Sequence, residues 1–280
     1  TGSANQNRIY LGYTGDMTFT GDVNAGNFSS ATNSEIYFNS RATSTCQFNG
    51  NISISSNHAN CDGFLFGAEG GTANLANTKT ISIPGGSAFF IGGQVYFRNF
   101  NQLGNTPQTL ELASTASYIF NYNSNWGGNV NFAAPRIRLR QSTFAGTATI
   151  EKTGGSDDAS YGGNTFSQNT IFTNSGSGYL LTGHYMADNF NANLTLNNTG
   201  SHNIYIAYNT PGNQILGDLV MNQSTTGSSS SIRLASGSSA DLTISGNITV
   251  SNTSSANNSA IYIGENGDVN CNGNLNITNN

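Results

Sequence analysis

Tyrosine and arginine recur in this chain at the centre of one tripeptide pattern, apolar–Tyr/Arg–apolar. The copies are Ile9-Tyr10-Leu11, Ile36-Tyr37-Phe38, Val95-Tyr96-Phe97, Ile137-Arg138-Leu139, Ile204-Tyr205-Ile206, Ile232-Arg233-Leu234 and Ile261-Tyr262-Ile263. On a strand the two flanking residues share one face and the middle residue takes the other. Burying the flanks therefore turns Tyr10, Tyr37, Tyr96, Arg138, Tyr205, Arg233 and Tyr262 outward in one column. Arg98, Arg136 and Arg140 widen it, and Tyr13 and Tyr208 lie two residues beyond it. A row of Tyr and Arg suits stacking on sugar rings or lateral docking against protein. Tyrosine is also a favoured strand residue that ladders with itself, which would make the column plain sheet decoration. Arg136, Arg138 and Arg140 alternate on one strand, a disposition able to grip a sulfated or carboxylated glycan unless Glu151 and Asp157 neutralise it.

Other chemistries find less support. Polysaccharide cleavage needs two or three carboxylates converging as acid and base or as calcium ligands. The one adjacent acidic pair, Asp157-Asp158, falls in a Gly/Ser-rich stretch that reads as a turn. His58, His184 and His202 sit at turn positions, with no spacing to Cys or Asp that suits a metal. No glycine-rich loop follows a strand and opens a helix, as a phosphate cradle would. An ice-binding face would need a regular threonine column, which the Tyr/Arg column is not. We expect no enzyme, no catalytic residues, no metal and no cofactor. Cys46 alternates with Phe48 and is expected inside, and Cys271 replaces a core phenylalanine. Cys61 follows Cys46 closely along the chain and falls at a turn, so a Cys46–Cys61 disulfide is open.

These residues must be positioned by a repeat. With the looser copies Phe64-Leu65-Phe66, Tyr118-Ile119-Phe120 and Tyr179-Leu180-Leu181, the spacings stay near one value, apart from a single gap close to twice as long. Asp157-Asp158-Ala159-Ser160 occupies the middle of that gap as a degenerate copy, giving about eleven units of about 25 residues. About ten residues after each tripeptide comes a second signal: a strand, a Gly or Asn turn and another strand. Examples are Phe48-Asn49-Gly50-Asn51-Ile52, Ile244-Ser245-Gly246-Asn247-Ile248, Cys271-Asn272-Gly273-Asn274-Leu275, Phe144 to Ile150, Phe190 to Leu196 and Leu216 to Met221. Three short strands per unit predict an all-β fold. Specifically, the chain reads as a right-handed parallel β-helix, a solenoid of about eleven coils, filling 1–280 as a single segment. A hairpin meander uses the same turns, but the period belongs to a three-strand unit. Ile9, Ile36, Val95, Ile137, Ile204, Ile232 and Ile261 should stack in one interior column, with Asn ladders at some turns.

Composition agrees. Charged residues are 8% of the chain and helix formers are scarce, while 16 Phe and 12 Tyr are spread at regular intervals and can fill a continuous core. The net charge of −5 with 9 basic residues excludes an electrostatic nucleic-acid track. No apolar run approaches a membrane span, so no membrane insertion is expected. Three cysteines and abundant Asn, Ser, Thr and Gly suit an extracellular location. The chain opens on Thr1 and shows no polar cap, so we expect an excerpt of a longer array. Thr1-Gly2-Ser3 followed by Ile9-Tyr10-Leu11 matches Thr199-Gly200-Ser201 followed by Ile204-Tyr205-Ile206, which suggests a longer super-repeat.

Several stretches carry a resemblance: Asn49-Gly50-Asn51-Ile52-Ser53-Ile54, Ile204-Tyr205-Ile206-Ala207-Tyr208-Asn209, the run Tyr96 to Leu110, Asn131 to Ile137 and Gly162-Gly163-Asn164-Thr165-Phe166. In these the chain resembles the repetitive region of giant secreted surface proteins of Bacteroidota. Those are adhesins exported by the type IX system, some serving gliding motility. The resemblance implies a cell-surface filament or stalk and adhesion to polysaccharide, and it brings no catalytic residues. The partners expected are a surface polysaccharide, or neighbouring copies and flanking repeats of the same protein.

Overall fold

Alternation of apolar and polar residues in segments too short and too glycine-rich for helices makes strands, and strands that recur at one fixed period pair with their own copies. The computed structural model describes residues 7–41, 43–59, 61–67, 70–226 and 230–280. It is all-β, 50% strand, and forms a parallel β-solenoid of about 10 turns, near the expected eleven. The described strands stack as parallel neighbours in every sheet, which removes the hairpin alternative. Thr1-Gly2-Ser3 lie outside the described residues. The chain divides into two compact units, Thr1–Pro135 and Arg136–Asn280, where the sequence reads as one segment.

In the first unit, Arg8–Leu11, Ser34–Phe38, Cys61–Phe66, Gly93–Arg98 and Ser117–Tyr122 form one face in chain order. Met17–Phe19, Thr45–Phe48, Thr72–Leu75, Phe100–Gln102 and Asn125–Trp126 form the second. The third is split between Val23–Asn27, Ile52–Ser56 and Ile81–Ser82, and the pair Gln108–Glu111 and Val130–Ala134. The interior column runs in register through Ile9, Ile36, Phe64, Val95 and Ile119. Ile9, on the first described strand, is 55% exposed, unlike its buried copies. The expected phase of Tyr118-Ile119-Phe120 needs correction. Ile119 points inward and its two neighbours outward, because Val95 sets the register.

In the second unit, Thr143–Phe144, Thr165–Phe166, Asn189–Phe190, Asn213–Ile215, Asp241–Ile244 and Asp268–Cys271 make one face. Ala148–Lys152, Thr170–Asn174, Leu194–Asn198, Leu219–Gln223, Ile248–Asn252 and Leu275–Asn279 make another. Asp158–Ala159, Leu180–Leu181, Ile204–Ile206, Ser231–Leu234 and Ala260–Ile263 make the third, beside the strand Arg136–Arg140. Phe144, Phe166 and Phe190 stack with ring centroids 4.8 Å apart and planes within 4°. Ile215 and Ile244 continue that column, so the copy read from Leu216 is one residue out, and Leu216 is exposed. Tyr179-Leu180-Leu181 is likewise shifted by one: Leu180 registers with Ile204.

A buried polar column accompanies the apolar ones. Lys152, Asn174, Asn198 and Gln223 stand in register and are wholly buried. Asn198 Nδ2 donates to Gln223 Oε1 at 3.0 Å, the coil-to-coil bond expected of an asparagine ladder. Such ladders satisfy carbonyls at the corners, where no strand can pair with them.

The sequence left a Cys46–Cys61 disulfide open, and the structure leaves Cys46 unbridged. Cys46 is a free, buried thiol between Met17 and Ala73, and burial pushes it up to about 12. Cys61 begins a strand rather than a turn, and its side chain lies outside the described residues. Cys271 registers with Ile244 as expected, but it is exposed.

Candidate functional site

The outward column of the first unit contains Tyr10, Tyr37, Leu65, Tyr96 and Phe120 in register. In-register coils rise about 4.8 Å, close to the separation at which aromatic rings stack. The rings accordingly cover one another: Tyr10 and Tyr37 stack at 4.7 Å, and Tyr96 and Phe120 at 4.6 Å. Each ring of these pairs has one face covered by its partner. Tyr37 departs further from the expected open stripe, because it is only 7% exposed and packs with Leu65 and Tyr96. Its hydroxyl donates to Glu35, and burial with that bond pushes its ionisation well up. Arg8 pairs with Glu35 at 2.8 Å. A register shift opposite Ser34 and Glu35 leaves Asp62 as the extra residue of a bulge, and burial raises its carboxyl. The bulge depends on Gly63, at φ +104°, where a Cβ would lie 2.0 Å from the Gln94 carbonyl oxygen. Arg98, at the side of the stripe as expected, lies over the Tyr122 ring at 5.2 Å.

The second unit holds the other six expected residues. Arg136, Arg138 and Arg140 project from one face of their strand while Ile137 and Leu139 point inward, as the alternation requires. Tyr205, Arg233 and Tyr262 register on successive strands. Arg233 lies between the two rings, 5.7 Å from Tyr205 and 4.7 Å from Tyr262, and pairs with Glu265.

The arginine cluster is met by Asp158, the neighbour of the expected Asp157. Arg136 Nε and Arg138 Nε reach the same Asp158 oxygen at 3.4 and 3.5 Å. Asp158 is wholly buried in a strand, not a turn, and registers with Leu180 in the interior column. Its other oxygen accepts the Ile137 backbone N–H at 2.9 Å, and Ser160 Oγ accepts the Leu139 N–H at 2.9 Å. Side chains thus stand in for backbone carbonyls in this part of the ladder. Burial raises the Asp158 carboxyl, opposed by that N–H and by Arg136, Lys152 and Arg138, while burial lowers the Lys152 ammonium.

Sequence reasoning noted Tyr208 but missed Tyr161 and Tyr185, with which it makes a second aromatic series on this unit. Tyr161, Tyr185 and Tyr208 follow one another at one coil period each, just past the strands. That spacing was legible, but no flanking apolar pair marks it. Arg140 lies over Tyr161 at 4.6 Å, and Tyr161 meets Tyr185 at 4.8 Å with planes 37° apart. His184 stacks on Tyr185 at 3.9 Å, and burial lowers the basicity of its imidazole. His184–Tyr208, Tyr205–Tyr208 and Tyr179–Tyr205 are edge-to-face contacts at 85°, 83° and 90°. Tyr185, 60% exposed, and Tyr161, 39% exposed, are nevertheless large aromatic surfaces in contact with solvent. The result is an unbroken line of groups in contact from Arg140 through Tyr161, Tyr185, His184, Tyr208, Tyr205 and Arg233 to Tyr262.

Among the described residues no group of three or more His, Cys, Asp or Glu could hold a metal ion. Fold and surface together define a parallel β-solenoid that carries an aromatic and guanidinium line on the outer face of its second unit. Comparison with family models, curated proteins and solved structures finds no match.

Proposed function

We propose that the chain is a structural and adhesive segment of a long extracellular cell-surface filament or stalk, of the type IX-secreted, gliding-adhesin kind that its sequence resembles. The observation behind this reading is the coil itself. The same three strands and the same interior columns recur with little elaboration, which provides reach and a repeated outer face. Imaging the intact parent protein tests it. A surface filament lengthening by about 4.8 Å per coil is expected, and a compact intracellular product would overturn the reading.

A second reading, a glycan-binding module, is favoured by one observation: Tyr161 and Tyr185 are exposed aromatic residues beside the arginine strand of the second unit, a residue pairing that suits sugars. Retention of the protein on a polysaccharide array tests this reading, and retention on none would end it.

A further inference from the structure

The split third sheet of the first unit has an outer face of another chemistry. Alternation sets Asn24, Ser53 and Ser82 outward in one column, and Gly26 and Ser55 in the next. Small side chains in two adjacent columns leave a low floor. Phe28 and Pro84 stand beside that floor and complete a groove of about 240 Å³. A second groove, of about 180 Å³, begins at Ser82 and Ser87 and continues to Thr109 and Glu111 one coil further on. From the coil of Asn24 to that of Thr109 is three steps of about 4.8 Å, or about 14 Å in all.

Phe28 is 63% exposed. Its ring meets the floor by the tip: a Cβ on Gly26 would lie 2.5 Å from Phe28 Cζ, so the missing side chain is what lets the ring come down there. The ring also borders a cavity of about 300 Å³ that reaches Glu35 and Ile36. Among the described residues no other aromatic ring or guanidinium lies on it. Serine and threonine hydroxyls and the asparagine amide both donate and accept hydrogen bonds, as sugar hydroxyls do. An exposed aromatic ring suits the apolar C–H face of a sugar. Among the described residues neither groove is lined by Lys or Arg, and Glu111 accepts from hydroxyls but repels a carboxylate.

We infer that this face of the first unit is a binding site for a short neutral oligosaccharide. The ligand lies along the coils, with one ring against Phe28 and its hydroxyls bonded to Asn24, Ser53, Ser55 and Thr109. In taking a glycan as the ligand the inference rests on the glycan-binding reading, but it uses no residue of the second unit.

The test uses the full chain, with cellotriose, laminaritriose and mannotriose as neutral probes and trigalacturonate as acidic probe, followed by calorimetry and saturation-transfer NMR. A neutral trisaccharide should bind with an affinity that added salt leaves unchanged, and trigalacturonate should bind much more weakly. Phe28→Ala should weaken the neutral complex roughly tenfold, the scale of one lost aromatic contact. Ser53→Tyr fills the groove with a side chain that strands favour and should abolish binding. Leu103→Ala and Tyr185→Ala, at exposed positions outside the groove, should leave it unchanged. Melting temperatures of all four variants should stay near that of the parent, since surface positions cost little.

Neutral binding that is lost in Tyr185→Ala and indifferent to Phe28→Ala and Ser53→Tyr would overturn the inference and leave the glycan-binding reading standing. A preference for trigalacturonate over every neutral probe would do the same. Binding of none of the four probes would overturn the inference, and retention on the polysaccharide array then decides the broader reading separately.

Discussion

Asp188 stands in a corner ladder whose neighbouring rungs are asparagines. The Ser142 N–H donates to Asn164 Oδ1 at 3.1 Å, the Asn164 N–H to Asp188 Oδ1 at 2.8 Å, and the Asp188 N–H to Asn213 Oδ1 at 2.9 Å. An amide oxygen could perform the same task without a charge. Burial pushes the Asp188 carboxyl up to about 6, against about 3.9 for a solvated aspartate. Below about pH 4 the group is protonated in both folded and unfolded states and costs no stability. As pH rises from about 4 to about 6 the unfolded chain ionises first, so folded stability falls, and above about 6 the cost is complete. Asp188→Asn is therefore expected to raise the melting temperature at pH 7 and to make little difference at pH 4. A loss of stability at pH 7 would show that the carboxylate is a needed partner rather than a burden.

At the scale of one element, stability resides in columns rather than single contacts. Phe166 is stacked between Phe144 and Phe190 and meets Phe172 edge-on at 5.5 Å. Truncating it removes two stacking partners and opens a cavity that neighbouring coils, fixed at their spacing, cannot close. Phe166→Ala should cost about 3–5 kcal/mol, read as a shift in chemical denaturation. Phe166→Ile should cost less, since Ile215 already fills a rung of the same column. Equal costs would mean that the column is loosely packed. The outer columns obey the same spacing with the opposite consequence. Register that makes Tyr10 and Tyr37 good stacking partners also hides their faces, so laddering and sugar stacking compete for the same rings.

At the scale of the molecule, the strands of the second unit contact their copies in the neighbouring coils, which makes a coil a removable part. Leu194 registers with Leu219, so excising residues 194–218 joins equivalent positions and preserves every column. That deletion should fold cooperatively with a lower melting temperature. Excising residues 194–205 should not, because it shifts the inward residues out of their columns. Circular dichroism and a thermal melt would decide between them. Failure of the full-coil deletion would place stability in contacts beyond nearest neighbours.

What the sequence determined by itself was whatever repeats. The period, the three strands per coil, the interior columns through Ile36 and Val95 in the first unit and through Ile204 and Ile232 in the second, and the corner asparagines were legible because each recurs at one spacing. Even the degenerate copy at Asp157 to Ser160 could be placed by counting. The tertiary structure decided what depends on a side chain's neighbours above and below. It buried Tyr37, set Asp158 inside to meet Arg136 and Arg138, freed Cys46 of a partner, and shifted the Leu216 and Tyr179 copies by one residue. It also turned Tyr179, Tyr205 and Tyr208 edge to face while Tyr10 and Tyr37 lie flat on each other. A pattern along the chain assigns a residue to the inner or outer face, but only packing against the adjacent coils sets the tilt of a ring, and that tilt determines whether its face is open to a ligand.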